Sequence, residues 1–126
     1  MSVVLDASAL LAFLHDEPGG EHVSAVLEGA RVSALNWSEV LQKSLQQDVD
    51  VAGMRQEFTG VGVSFEPFTP QQAETAAWLW SHTRNHGLSL ADRACLALAM
   101  DQGLPVITAD RVWARLKLDI EIRVLR

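Results

Sequence analysis

Four acidic residues stand beside apolar segments, where helices are predicted to begin. Asp6 and Asp110 directly follow strand-like apolar runs, in "VVLDAS" and "PVITAD", and Glu39 and Asp92 lie in "NWSEV" and "LSLADRA". Carboxylates in one crevice repel each other, and Mg2+ or Mn2+ relieves that repulsion by taking oxygen ligands while keeping several waters. Two such ions can activate a water and stabilise a leaving phosphoryl oxygen. A shared site would therefore suit phosphodiester hydrolysis.

Each acid also has an ordinary structural explanation. Asp6 and Asp110 can each cap the turn that follows them. Glu39 comes three residues after Asn36, and Asp92 follows a serine at the same spacing, which is the pattern of a capping box. Spacing alone leaves both explanations open, because a metal site requires the four helix starts to converge.

The segments that carry these acids alternate between strands and helices. Predicted strands cover 3–5, 31–35, 63–68, 105–108 and, as an edge strand, 121–125; predicted helices cover 6–17, 21–29, 36–47, 51–60 and 70–86, with a mostly buried helix inside 87–100. This order predicts a three-layer α/β/α sandwich with a mostly parallel central sheet. Ligands of such folds bind at the carboxyl ends of the strands. Asp6 and Asp110, which directly follow predicted strands, therefore lie where a ligand is expected to bind.

Length and composition limit the class of protein. The 126 residues predict one domain, 1–126. The formal net charge of −6 argues against a protein that coats DNA non-specifically, but not against a nucleic-acid enzyme whose acids bind cations. Cys95 is the only cysteine, which favours a reducing compartment. No basic leader or membrane-length apolar run is evident, so we expect a cytoplasmic protein with no membrane partner.

The segments "VVLDASALLAFL", "NWSEV", "LSLADRACLALA" and "LPVITADRVWARL", in this order, resemble a PIN-domain nuclease. More narrowly, they resemble the VapC toxins of bacterial toxin–antitoxin pairs, over nearly the whole chain. The resemblance implies a three-layer α/β/α fold and Mg2+- or Mn2+-dependent cleavage of RNA. It implies that Asp6, Glu39, Asp92 and Asp110 are the catalytic and metal-binding residues. It also implies a homodimer and a small antitoxin protein as partner.

Four further residues are candidates for supporting roles. Thr108 matches a polar position of the last motif and would orient a ligand or water, whereas Ser8 either binds a metal-bound water or serves only near the helix cap. Arg93 and Arg111 either contact substrate phosphates or a partner, or form surface ion pairs of little consequence. Flanked by these arginines, an acidic crevice would accept a basic side chain of an inhibitor.

The segment "AAWLW" predicts self-association. Trp78 and Trp80 lie two residues apart, which places them about 200° apart around a helix. Both cannot face one core, so we expect one of them in an interface between subunits.

An aspartate at the end of a strand, such as Asp6, is also found in proteins with two other functions. One is an aspartyl-phosphate-type phosphohydrolase, which needs a second aspartate where Ser8 stands. The other is a non-enzymatic, receiver-like metal-binding signalling module. Both need a lysine after a late strand, and "PVITAD" supplies none. Metal-dependent RNA cleavage is therefore the preferred hypothesis.

Overall fold

A five-stranded sheet forms the centre of the protein, which a computed structural model describes from residue 2 to residue 126. The strands are β1 (Val4–Leu5), β2 (Arg31–Ser33), β3 (Ser64–Glu66), β4 (Val106–Thr108) and β5 (Ile122–Val124). Their order across the sheet is β3-β2-β1-β4-β5, and every pairing in it is parallel. The predicted parallel α/β sheet is confirmed, and β5 lies at its edge as predicted.

Six helices cover the two faces of this sheet. They are α1 (Ala7–Leu14), α2 (Gly20–Ser24), α3 (Ala34–Gln46), α4 (Met54–Gly60), α5 (Pro70–Thr83) and α6 (Leu90–Gln102). Helices α1 to α4 contribute to the apolar core on one face, and α5 and α6 contribute to the core on the other. The predicted three-layer arrangement is therefore present. No helix within residues 2–126 is long and apolar enough to cross a membrane.

Strand β1 shows why both faces of the sheet need a helical layer. Val3 and Leu5 belong to the core beneath α1 to α4, whereas Val4 belongs to the core beneath α5 and α6. Successive strand residues point to opposite faces, so a continuous apolar run buries side chains on both sides. Fully burying a Val or Leu side chain stabilises the fold by about 1.5–3 kcal/mol. The sheet is thereby anchored at the strand that precedes Asp6.

Several predicted helix boundaries differ from the structure. Helix α2 stops at Ser24 and not at Gly29, and α4 starts at Met54 and not at Val51. Helix α3 begins at Ala34, two residues before its predicted start, because the Ser33 hydroxyl accepts a hydrogen bond from the Leu35 N–H (3.3 Å) and ends β2 there.

Helix α5 begins as predicted, whereas α6 is less buried than predicted. The Thr69 hydroxyl accepts a hydrogen bond from the Gln72 N–H (3.2 Å), and Pro70 occupies the first turn. Leu90 and Met100, at the two ends of α6, are 52% and 39% exposed. Only the middle of α6, around the buried Cys95, has no polar face.

Candidate active site

All four predicted acids line one cavity at the carboxyl edge of the sheet. The cavity has a volume of about 300 Å3, and its lining also includes Ser8, Lys43 and Ser89. Asp6 and Asp110 follow the neighbouring strands β1 and β4, while Glu39 and Asp92 come from the first halves of α3 and α6. The four acids therefore meet in the fold, which the spacing in the sequence alone did not establish.

A buried asparagine joins the helices that carry Glu39 and Asp92. The Asn36 side chain is fully buried, and its Nδ2 donates a hydrogen bond to the Ala91 carbonyl oxygen (3.0 Å). This bond links the first turn of α3 to the first turn of α6. Asn36 is thus no helix cap, and the predicted capping box between Asn36 and Glu39 is wrong. Because α3 starts at Ala34, Glu39 lies in its second turn.

Asp6 is the most deeply buried of the four acids, with 3% of its surface exposed. Its Oδ1 accepts hydrogen bonds from the Ala9 N–H (2.8 Å) and the Ser8 hydroxyl (2.7 Å), and its Oδ2 accepts one from the Thr108 hydroxyl (2.6 Å). Burial raises the pKa of Asp6 from 3.8 to about 6; the three hydrogen bonds oppose that rise, and the nearby charge of Asp92 adds to it. The carboxylate is held rigidly and is costly to ionise.

Ser8 and Thr108 connect Asp6 to the turn that carries Asp110. The Ser8 hydroxyl accepts a hydrogen bond from the Ala109 N–H (2.9 Å), and the Thr108 hydroxyl accepts one from the Asp110 N–H (3.0 Å). Each hydroxyl therefore bridges the end of β4 to the carboxylate that follows β1. This network fixes the two strand-ending acids relative to each other.

Asp92 caps α6 and also lines the carboxylate cavity. It forms a capping box with Ser89: its Oδ2 accepts from the Ser89 N–H (2.9 Å), and the Ser89 hydroxyl accepts from the Asp92 N–H (3.1 Å). Burial raises the pKa of Asp92, the two hydrogen bonds with Ser89 lower it, and the charges of Glu39 and Asp110 raise it further. The cap aims this carboxylate into the cavity, where other acids disfavour its charge.

Asp110 is the most exposed of the four acids, and Glu39 is half-buried. Asp110 is exposed and caps the short 3-10 helix Arg111–Arg115 by accepting from the Val112 N–H (3.0 Å). The Glu39 Oε2 lies 3.1 Å from the Lys43 Nζ, whereas its Oε1 is buried without a hydrogen-bond partner. A buried acceptor without a partner costs free energy, so a ligand or water that reached the Glu39 Oε1 would stabilise it.

Lys43 is a residue of this cavity that the motif analysis missed. It lies four residues after Glu39 on α3, a spacing at which helical side chains meet. That spacing was visible in "NWSEVLQK". Its ammonium group places a positive charge among four carboxylates.

The two candidate arginines make contacts outside the cavity. Arg93 donates a hydrogen bond to the Ala76 carbonyl oxygen (2.7 Å) on α5, and Arg111 donates one to the Arg126 carbonyl oxygen (2.9 Å). Neither side chain lines the carboxylate cavity. Their contact with a substrate or partner remains a prediction.

Comparison with known proteins identifies the family. The family model described as "PIN domain" matches residues 3–118. The chain belongs to the PIN-domain family. The resemblance predicted from the four segments is thus confirmed. Among curated proteins, none matches this sequence.

Solved structures of toxin–antitoxin proteins share this PIN fold. The VapC20 toxin of Mycobacterium tuberculosis, described as cleaving the sarcin–ricin loop, is 13% identical, with 94% of this chain and 98% of that chain covered and a TM-score of 0.71. A toxin–antitoxin complex from Klebsiella pneumoniae is 18% identical, with 86% of each chain covered and a TM-score of 0.66. FitAcB from Neisseria gonorrhoeae is 25% identical, with 97% and 96% covered and a TM-score of 0.58.

The cavity of this PIN domain provides ligands suited to Mg2+ or Mn2+. Within residues 2–126, no three His, Cys, Asp or Glu side chains are grouped so as to enclose an ion. Mg2+ does not require such an enclosure, because it binds through one or two carboxylates plus water and substrate phosphate. The four carboxylates offer the hard oxygen atoms that this coordination needs. One of these atoms, the Glu39 Oε1, has no hydrogen-bond partner. The residues therefore fit a hydrated divalent cation.

Burial of Asp6 predicts a pH-dependent stability of the metal-free protein. Its pKa is about 6 in the folded state against 3.8 ordinarily, so the folded state binds more protons between these values. This contribution is fully present below about pH 4 and is lost as the pH rises through about 6. At about 1.4 kcal/mol per pKa unit, the free energy of unfolding should fall by about 3 kcal/mol across that window.

Denaturant unfolding of the metal-free wild type and of Asp6→Asn, from about pH 4 to about pH 7.5, measures this contribution. The wild type should lose stability relative to the variant as the pH rises. Parallel pH profiles for the two proteins would show that the Asp6 carboxylate carries no such penalty.

Proposed function

We propose that this PIN domain is a metal-dependent endoribonuclease that cleaves RNA phosphodiester bonds, and that it is the toxin of a toxin–antitoxin pair. The observation that carries the proposal is the meeting of Asp6, Glu39, Asp92 and Asp110 in one cavity at the carboxyl edge of the sheet. The likeness to a toxin described as cleaving the sarcin–ricin loop supports RNA as the substrate class.

In the proposed reaction the protein binds the cation and the substrate in one orientation. Asp6, Glu39, Asp92 and Asp110 would hold Mg2+ or Mn2+, directly or through its bound waters, and the ion would lower the pKa of a water and stabilise the leaving oxygen. Ser8 and Thr108 act as positioning residues, because their hydroxyls hold the Asp6 carboxylate at both oxygens. Hydrolysis adds the elements of water across a P–O bond, so no other co-reactant is needed.

Cleavage of a structured RNA by the purified protein tests this proposal. We expect defined fragments with Mg2+ or Mn2+, loss of cleavage in excess EDTA, and recovery when Mn2+ is added back. Cleavage that is undiminished by EDTA would contradict the metal dependence. Intact RNA under all of these metal conditions would contradict the nuclease activity itself.

Neither alternative function gains support from the lysine in the cavity. Lys43 comes from α3 and pairs with Glu39, whereas both alternatives need a lysine after a late strand. Strand β4 is followed by Ala109 and Asp110.

We propose that a small antitoxin inhibits the nuclease by placing a basic side chain in the carboxylate cavity. The four acids outnumber Lys43 there, and an arginine guanidinium binds carboxylates through two parallel hydrogen bonds. Arg93 and Arg111 remain candidate contacts for this partner or for RNA. The likeness to a solved toxin–antitoxin complex supports a partner of this kind.

We also propose a homodimer whose interface includes Trp78 or Trp80 of α5. Both side chains are exposed, at 56% and 51%. The Trp78 ring lies 4.2 Å from the His82 ring, centroid to centroid, and the Arg84 guanidinium carbon lies 5.4 Å from the centre of the Trp80 ring. Exposed tryptophans are typical anchors of protein interfaces, where truncating one costs about 2 kcal/mol or more.

Sedimentation of Trp78→Ser and Trp80→Ser tests the dimer. One of the two exchanges should raise the dimer dissociation constant roughly 30-fold, as a loss of about 2 kcal/mol requires. Leu45→Ser, which alters a residue of α3 that is 57% exposed, is the matched control and should leave it unchanged. A wild-type protein that sediments only as a 13.8 kDa monomer at micromolar concentration would contradict the dimer.

A further inference from the structure

A second polar cleft adjoins the carboxylate cavity and shares Ser8 and Lys43 with it. Its volume is about 390 Å3. Beyond those two residues its polar lining comes from the segment after α1, the end of α3 and Arg126. The residues are His15, Glu17, Gln46, Gln47 and Arg126. A strand that occupies the carboxylate cavity can therefore continue past Lys43 into this Lys43 cleft.

The two cavities differ in charge. Four carboxylates and Lys43 line the first, whereas Lys43, Arg126 and Glu17 are the side chains with fixed charge along the second. Glu17 is already paired with the Arg126 guanidinium (3.4 Å), which also donates to the Pro18 carbonyl oxygen (2.7 Å). That pair is neutral, so Lys43 is the cation at the boundary, and the cleft lacks the excess negative charge of the carboxylate cavity.

Lys43 can change partners at little cost. Its ammonium group has three donors, and its charged partner is the Glu39 Oε2 at 3.1 Å. The side chain is 48% exposed. Exposed pairs at this helical spacing contribute little to stability, so a phosphate oxygen can replace Glu39 as the partner of Lys43.

The rest of the cleft is suited to a polar ligand. The His15 Nε2 is buried without a hydrogen-bond partner, and such a group is stabilised when a ligand or water supplies one. Gln46 and Gln47 add amide donors and acceptors at the end of α3. Phosphate, ribose and base edges offer the complementary groups.

We propose that the Lys43 cleft binds the RNA nucleotide next to the cleaved bond, with the Lys43 ammonium contacting its phosphate. This inference rests on the proposed nuclease function. It assigns Lys43 to substrate binding, at the boundary between the cleft and the cavity that would hold the reacting phosphate.

Binding of a fluorescein-labelled single-stranded RNA of about 12 nucleotides tests this assignment. Anisotropy titrations in EDTA keep the RNA intact, and a series of KCl concentrations gives the slope of log K against log salt. Each phosphate contact to a single strand contributes about 0.7 to that slope. Lys43→Gln should reduce the magnitude of this slope by about 0.7 and weaken RNA binding roughly tenfold at low salt. Lys43→Arg should keep the slope and the affinity of the wild type.

Lys117→Gln is the matched control, because it removes the same charge from an exposed lysine that lines neither cavity. It should leave the slope unchanged. Gln47→Glu, which places a negative charge in the cleft away from the carboxylates, should also weaken binding. If the protein binds and cleaves RNA but Lys43→Gln and Lys117→Gln show equal salt slopes, the assignment of Lys43 is overturned and the nuclease function is not. A wild type that neither binds nor cleaves RNA would overturn the nuclease function with it.

Discussion

Asp110→Asn is expected to lower metal-dependent RNA cleavage roughly 1,000-fold while leaving the fold intact. The exchange removes one negative charge from the cavity and replaces a charged oxygen ligand by a neutral one. The cation contributes several kcal/mol to transition-state stabilisation, and each loss of about 1.4 kcal/mol costs a factor of ten in rate. Initial rates of fragment formation at saturating Mn2+ measure the effect.

Asp110 is the most informative acid for this experiment, because its structural role survives the exchange. It is exposed, and its structural contact is the cap on the Val112 N–H, which asparagine provides equally well. Asp119→Asn alters an exposed aspartate outside the cavity and should keep full activity. An Asp110→Asn protein that folds and cleaves at the wild-type rate would remove Asp110 from the proposed machinery.

The sequence was sufficient to predict where three of the four acids lie, because each of the three is tied to a local feature. Asp6 and Asp110 directly follow apolar runs that became β1 and β4, neighbouring parallel strands. The rule that ligands bind at the carboxyl edge of such a sheet then places both acids together. Asp92 is fixed by a capping box with Ser89, whose spacing is also visible in the sequence.

Contacts between distant segments could not be predicted in the same way. The Asn36 side chain bonds to the Ala91 carbonyl oxygen, 55 residues away, and that bond depends on how α3 and α6 pack. Asn36 therefore resembled a helix cap in the sequence, although it is a buried link between two helices. The start of α3 was misplaced for a local reason instead: Ser33 caps the helix at the Leu35 N–H, within a segment that had been predicted as strand.

The same carboxylate can cap a helix and line the shared cavity, so these two explanations do not exclude each other. Asp6, Asp92 and Asp110 each accept a hydrogen bond from a backbone N–H at a helix start, and each lines the cavity. Capping orients each carboxylate and compensates part of its cost, since a helix N-terminus favours negative charge. Burial and neighbouring acids then oppose that charge at Asp6 and Asp92, where the pKa is raised.

Asp92→Asn is the exchange in which stability and activity should move in opposite directions. The pKa of Asp92 is raised, first by burial and then by the charges of Glu39 and Asp110. Because this pKa is raised by folding, ionisation of Asp92 destabilises the metal-free folded state. Asparagine removes the charge and can still accept from the Ser89 N–H. We expect the melting temperature in EDTA to rise by a few degrees and metal-dependent cleavage to be lost.

Thermal unfolding in EDTA and then in Mn2+ distinguishes a shared site from an isolated helix cap. The wild type should melt below Asp92→Asn in EDTA and gain more from Mn2+, because a ligand that binds only the folded state stabilises it. Asp50→Asn is the matched control. Asp50 also accepts a hydrogen bond from a backbone N–H, that of Ala52 (3.0 Å), but it lies outside the carboxylate cavity. It should not gain stability in EDTA. If Asp92 acted only as a cap, losing its charge would cost about 0.3–1 kcal/mol, so Asp92→Asn would melt below the wild type.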